Sequence, residues 1–441
     1  MKKRLSYLQI IALGYFLIIT SGTLLLMLPP ASAAPGGADF RTALFTATSA
    51  SCVTGLVLCD TATSWTAFGQ GVILCLIQIG GLGFMTFATL FYILLRRKMG
   101  LRERSVMVES INTTQIGGIL NLTRKIVIGT LFFESFGALL LSIRFIPRMG
   151  FARGVWYGVF HAVSAFCNAG FDLMGVYDGA YASFVGYSGD WLVNLVLMAL
   201  ITVGGLGFLV WDDLSCKKFH FRRYALQTKL VLSVSAILTF GGALLLFFFE
   251  PQGNLSFDER VLTSLFGSVT ARTAGFNTID TAAMSSGGKL LTMILMFIGG
   301  SPGSTAGGVK TTTLAVLLLH TFAGIRHEQS AGAFGRSLGE ETLKKAASVF
   351  FVNLLLALTG TLAICMIQPL ALEDVLFECF SAIGTVGMTT GVTRALAPSS
   401  SFIIAFLMFC GRVGSISFAV ALLEKRARPP VRRPTEQITI G

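Results

Sequence analysis

Four short segments of this chain repeat one pattern, and that repetition narrows the possible folds more than any other feature. They are Ser51-Cys-Val-Thr-Gly-Leu56, Ala165-Phe-Cys-Asn-Ala-Gly-Phe171, Ala271-Arg-Thr-Ala-Gly-Phe276 and Ile383-Gly-Thr-Val-Gly-Met388. Their shared glycines, Gly55, Gly170, Gly275 and Gly387, lie 115, 105 and 112 residues apart. Before each lies a modestly apolar stretch too short to cross a bilayer, beginning near Arg41, Val155, Val261 and Val375. A fixed period of this kind marks one structural unit used several times.

A second signal recurs further along each unit: Gly80-Gly-Leu-Gly-Phe84, Gly204-Gly-Leu-Gly-Phe208, Gly299-Gly-Ser-Pro-Gly303 and Gly411-Arg-Val-Gly414. Small residues at four-residue spacing let helices approach closely, so packing is the first reading of these glycines, overlapping with pore lining. The solvent around the units is lipid. Hydrophobic residues make up 53% of the 441, charged residues only 13%, and mean hydropathy is +0.74. Runs such as Leu5–Leu28, Val72–Leu95 and Leu230–Phe249 carry no charge and approach the roughly 20 residues that span a bilayer. Each unit therefore reads as outer helix, re-entrant half-helix with loop, and inner helix. The expected fold is an all-α polytopic membrane protein of four tandem helix–pore-loop–helix repeats, with eight spans and four re-entrant pore helices. The expected units are 1–100, 101–223, 224–325 (with a broken inner helix) and 326–424, followed by a basic tail, 425–441.

The net charge of +12 suggests nucleic acid until its distribution is examined. Of the 34 Lys and Arg, 24 lie at the two ends and in three connections, around Arg96–Lys125, Lys217–Lys229 and Arg326–Lys345. The intervening connections are net acidic. This asymmetry obeys the positive-inside rule: both termini and the basic connections should be cytoplasmic, in a cell membrane, with no nucleic-acid partner. The basic tail after Glu424 suits anionic lipid or a docking subunit equally. Met1-Lys-Lys-Arg4 and Ala31-Ser-Ala33 imitate a cleaved leader, but the apolar run between them is longer than a signal core and fills the place of an outer helix. The eight cysteines are scattered and read as packing residues. The four histidines form no cluster, and His161 reads as structural. With no Ser/His/Asp set, metal-ligand spacing or nucleotide motif, the chain is not expected to be an enzyme or to bind a cofactor.

Four loops meeting on one axis would place rings of carbonyl oxygens in a narrow path, where they can replace a cation's water shell. Glycine permits the positive φ that turns successive carbonyls the same way. The candidate filter is Val53, Thr54, Gly55; Asn168, Ala169, Gly170; Thr273, Ala274, Gly275; and Thr385, Val386, Gly387. Thr385-Val-Gly-Met matches the start of the potassium filter Thr-Val-Gly-Tyr-Gly, and the other three are degenerate. Arg272 should donate to neighbouring loops, and Glu134 should be hydrogen-bonded between helices.

The third inner segment carries five glycines and a proline between Gly299 and Gly308. Such a sequence holds a helix poorly, so a flexible loop should interrupt it below the filter. The candidate gate comprises Gly299, Gly300, Ser301, Pro302, Gly303, Ser304, Thr305, Ala306, Gly307 and Gly308, with Lys310 and Arg412. The hydroxyls of Ser301, Ser304, Thr305 and Thr311 should serve freed backbone groups. Gly303–Thr311 imitates a phosphate loop, but Val309 separates its last glycine from Lys310 and no strand precedes it. Arg412, mid-span, costs about 2.5–3.5 kcal/mol to insert unpaired, so it should bind the carbonyls of the third unit's loop. Lys310 should snorkel to the interface.

Together the single-chain fourfold pore, the one-glycine filter loops and the broken third inner helix resemble the TrkH/KtrB/HKT potassium transporters over essentially the whole chain. The lack of an extra pair of spans before the first unit favours the shorter KtrB type. The resemblance implies K⁺ uptake stimulated by Na⁺, a homodimer of pore subunits, and a cytosolic RCK/KtrA-like regulatory ring that binds ATP or ADP. Glycine at position 55, where related Na⁺ transporters carry serine, favours K⁺. The alternative is an alternating-access cation symporter, which usually shows inverted repeats and two matched broken helices; here one inner helix alone is strongly broken by sequence.

Overall fold

The computed structural model describes residues 6–83, 85–86, 105–107, 119–218, 220–250, 255–328 and 330–414. Four long helices frame it: Tyr7–Leu26, Ile119–Met149, Leu226–Phe249 and Glu340–Ile367. Twenty residues at 1.5 Å each cover the ~30 Å of a bilayer core. All four helices carry a run apolar enough to cross it. Each also turns a large apolar stripe outward. On the second it is Phe132, Phe136, Leu139 and Ile143; on the fourth, Phe351, Leu355, Leu358 and Leu362. Exposed apolar rows at helical spacing would be a liability in water and are the natural contact with lipid. The chain is a polytopic membrane protein.

Each outer helix is followed by a short one: Phe40–Cys52, Phe151–Phe166, Phe257–Thr270 and Leu372–Gly384. At 13 to 16 residues these are only about 20–24 Å long. The first starts where Asp39 caps the Thr42 N–H, and the third where Ser256 and Glu259 form a reciprocal capping box. They are the buried layer of the molecule. Phe45, Phe160, Phe166, Phe266 and Phe377 are almost wholly enclosed.

The third inner segment is broken as its sequence suggests, and glycines also end the other three. Ala67–Leu82, Trp191–Leu206 and Pro398–Val413 each end at a glycine with positive φ: Gly83 (82°), Gly207 (97°) and Gly414 (92°). At Gly207 the chain turns by 93° into a second helix, Phe208–Lys217. The third inner segment is split into Ser286–Phe297 and Thr311–Ile325. So the break expected in one inner helix occurs in two among the described residues. The missed signal was Gly204-Gly-Leu-Gly207, whose last glycine adopts a backbone that other residues avoid. Among the described residues, β-structure is confined to a small antiparallel hairpin, Gly332–Ala333 with Arg336–Ser337, and two isolated bridges, Ser32 with Trp65 and Ile298 with Val309. The expected boundary near residue 100 and the tail 425–441 fall outside the described residues.

In three of the four recurrent groups the first glycine explains how an inner helix reaches its own pore helix; Gly299 of the third instead abuts Gly307 O within its own segment. A Cβ at Gly80, Gly204 or Gly411 would run into the carbonyl oxygen of Ser51, Phe166 or Ile383, respectively. This is the packing role read from the sequence, with backbone as the partner. Gly204→Ala should destabilise the protein by about 1–3 kcal/mol, because backbone cannot step aside as a side chain can. The helical Gly71, with open space around its Cβ, should accept alanine without loss. Thermal unfolding of both variants in detergent measures the difference.

Candidate ion filter and the loop beneath it

The four recurrent loops converge into a ring. A Cβ on Gly55 would strike Ala169 O; on Gly170, Ala274 O at 2.6 Å; on Gly275, Val386 O; and on Gly387, Thr54 O. Each loop's glycine thus abuts the carbonyl of the residue before the next loop's glycine. The order runs first, second, third, fourth and back to first. Thr54 O, Ala169 O, Ala274 O and Val386 O therefore share one level of the ring.

The backbone alternates in the way such a ring needs. Two residues before each glycine φ is left-handed: Val53 (58°), Asn168 (59°), Thr273 (77°) and Thr385 (52°). The glycines follow at 93°, 69°, 81° and 94°. Left-handed φ at a valine and two threonines costs energy and persists only where the surroundings fix it. What fixes it is a set of hydroxyls. Ser49 Oγ accepts from Gly55 N at 3.0 Å, and Ser381 Oγ accepts from Gly387 N at 3.1 Å. Ser164 Oγ donates to Phe171 O at 2.7 Å, and Thr270 Oγ1 to Phe276 O at 2.8 Å. Sequence reasoning missed these four anchors. A hydroxyl five or six residues before every filter glycine was the available signal. The side chains of Thr54, Ala169, Ala274 and Val386 are enclosed behind the ring.

Directly beneath the filter lies the Gly299–Gly308 segment. Thr305 Oγ1 donates to Phe166 O at 3.1 Å. The Asn168 carboxamide lies between Thr305 Oγ1 (3.2 Å) and Thr273 Oγ1 (3.3 Å). A Cβ on Gly307 would collide with Thr385 Oγ1. The segment is held rather than loose. Ser301 N donates to Gly205 O at 3.0 Å, Thr305 N to Gly204 O at 3.3 Å, and Phe208 N to Gly303 O at 2.7 Å. The bend in the second inner helix therefore frees the backbone groups that grip the loop of the third. Ser304 Oγ donates to Ser301 O at 2.7 Å, while Ser301 and Thr311 pair their hydroxyls with each other at 3.3 Å.

Two cations gather on this loop. The Arg412 guanidinium donates to Thr305 O, Gly80 O and Gly81 O, the last at 3.0 Å, so it ties the fourth inner helix to the loop and to the first. Lys310 does not snorkel away. Its Nζ turns back to Ala306 O (2.7 Å) and Gly307 O (2.9 Å), because these carbonyls lack helical donors. Arg272 also differs from expectation: it donates to Thr239 Oγ1 of the third outer helix at 2.6 Å rather than to a neighbouring loop. Glu134 accepts from Gln78 Nε2 of the first inner helix at 3.1 Å. His161 pins the second loop, with Nε2 accepting from Leu173 N at 3.0 Å and Nδ1 2.7 Å from Tyr157 O.

A ring of backbone carbonyls at the meeting point of four re-entrant loops, sealed in an apolar shell, defines a membrane ion transporter and not an enzyme. The TrkH family model, described as a cation transport protein, matches residues 9–427. The chain belongs to that family. It is similar to the potassium/sodium uptake protein NtpJ of Enterococcus hirae, 41% identical over 100% of this chain and 98% of the relative. It is also similar to Ktr system potassium uptake protein B of Bacillus subtilis, 39% identical over 98% of this chain and 96% of the relative. Among solved structures, the potassium transporter TrkH of Vibrio parahaemolyticus matches with a TM-score of 0.76 at 16% identity, over 96% of this chain and 86% of that one. That likeness shows the fold.

Ser381→Ala leaves a buried Gly387 N–H without its partner, a loss of about 1–3 kcal/mol. The variant should unfold at lower temperature and discriminate less well among alkali cations. Ser381→Thr should restore most of both, as read by thermal unfolding and competitive ion flux.

Proposed function

We propose that the chain passes K⁺ through this ring as the pore subunit of a Ktr-type uptake system in the cell membrane, with both termini cytoplasmic. The observation that carries the reading is the closed cycle of glycine–carbonyl contacts, with glycine at all four filter positions including Gly55. Carbonyl rings suit a cation that sheds its water for them. The relative named for Ktr potassium uptake supports K⁺ as the ion, and the relative named for potassium/sodium uptake supports an alkali cation without choosing between the two. The units 1–100, 101–223, 224–325 and 326–424 each supply one loop, and 425–441 forms the basic tail that meets lipid or a partner.

The Gly299–Gly308 loop acts as the gate. Arg412 and Lys310 hold it under the filter, where a positive charge also disfavours a cation in the path. A second copy of the chain and a cytosolic RCK/KtrA-like ring that binds ATP or ADP regulate it, and Na⁺ stimulates it. The bend at Gly207 is the feature an alternating-access symporter would share. Here the two broken helices grip each other on one side of a continuous ring, which favours the gated pore.

Uptake of radioactive rubidium into proteoliposomes tests this. K⁺ should compete strongly and Na⁺ weakly, and Gly55→Ser should narrow that difference. Equal competition in the wild type would retire the potassium reading. Arg412→Ala should raise flux in the absence of regulatory subunits; unchanged flux would remove the gate from the mechanism.

A further inference from the structure

Past the filter the second unit takes a detour through two short 3-10 turns, Met174–Val176 and Val185–Tyr187, before its inner helix begins at Trp191. Within it Tyr181 and Ser183 have φ of 67° and 48°. Two left-handed non-glycine residues so close together require outside restraint. The restraint comes from both neighbouring units. Tyr181 N donates to Asp60 Oδ1 of the first at 3.1 Å. Ser183 Oγ accepts from Asn277 N of the third at 3.1 Å, and Phe184 N donates to Asn277 O at 2.9 Å.

The fourth unit, diagonal to the second in the ring, reaches it by a side chain. The Arg394 guanidinium carbon lies 3.8 Å from the centre of the Tyr181 ring. Each half of this stack is braced by a buried carboxylate. Glu378 accepts from the hydroxyls of Thr389 and Thr393, the latter at 2.6 Å, and so fixes the turn that presents Arg394. Asp60 Oδ2 accepts from Thr63 N (3.0 Å) and Thr63 Oγ1 (2.8 Å) while its other oxygen holds Tyr181. The arrangement spends two buried carboxylates on locating one cation–ring contact between units that share no filter contact.

We propose that Tyr181 and Arg394 form a clasp across the outer end of the filter, positioning residues that resist separation of the second and fourth units and so hold the ring at the width that discriminates among cations. The inference rests on the potassium reading above. A carbonyl ring that widens loses preference among ions of different size, and movement of diagonal units apart is the most direct way to widen it.

The test is competition against rubidium uptake in proteoliposomes for wild type, Tyr181→Ala, Arg394→Gln, the double variant and Tyr181→Trp, each confirmed monodisperse in detergent. Each single change should lower the preference for K⁺ over Na⁺ by about three- to tenfold, the range such a contact commands. The double variant should be no worse than either single, and Tyr181→Trp, which keeps a ring face, should behave as wild type. Unchanged preference in the singles, additive losses in the double, or a Tyr181→Trp variant as poor as Tyr181→Ala would each overturn the clasp. If the wild type fails to discriminate, the potassium reading falls alone. The clasp is then judged by the half-saturation for rubidium, which must show the same non-additive pattern to sustain it.

Discussion

Irregular backbone at membrane depth has no water to satisfy it, and every other feature of this protein answers to that constraint. The pore loops leave the helical ladder at Val53, Asn168, Thr273 and Thr385, and hydroxyls from their own pore helices take up the freed groups. The carbonyls of Thr54, Ala169, Ala274 and Val386 meet the neighbouring loops' glycines around the ring, an arrangement that suits a cation able to exchange its water shell for backbone oxygens. The apolar shell of outer helices makes the interior dry enough for that exchange to matter, and the pore helices hold the loops at depth.

The same accounting explains the lower loop. Splitting the third inner helix strands donors and acceptors between Gly299 and Gly308. The second inner helix bends at Gly207 and offers its own stranded groups, so the two breaks satisfy each other. The leftover carbonyls of Thr305, Ala306 and Gly307 attract Arg412 and Lys310. Charges that would be costly to bury alone are thereby placed where backbone oxygens already lack partners.

Much of the site was legible because its chemistry is local. The four glycines that meet in the ring needed only a repeated spacing, and the loop in the third unit needed only its density of glycine and proline. The hydroxyl anchors escaped notice because serine and threonine are common in helices and their bonds to backbone announce nothing in composition. Lys310 was misjudged for a related reason. Its place just past the glycine-rich loop suggests an aqueous interface, while the nearest acceptors are three and four residues behind it.

The sequence by itself determined the class: a lipid-embedded chain, four units, four glycine-centred loops and one weakened inner helix. These follow from hydropathy and backbone preference, which act over a few residues. Only the tertiary structure decided which unit neighbours which, that Gly207 bends a second inner helix through 93°, and that Arg412 bridges three units. The same holds for the meeting of Tyr181 with Arg394, residues from diagonal units. Such contacts join positions hundreds of residues apart, and they are set by the closure of the ring, to which no single stretch of chain bears witness.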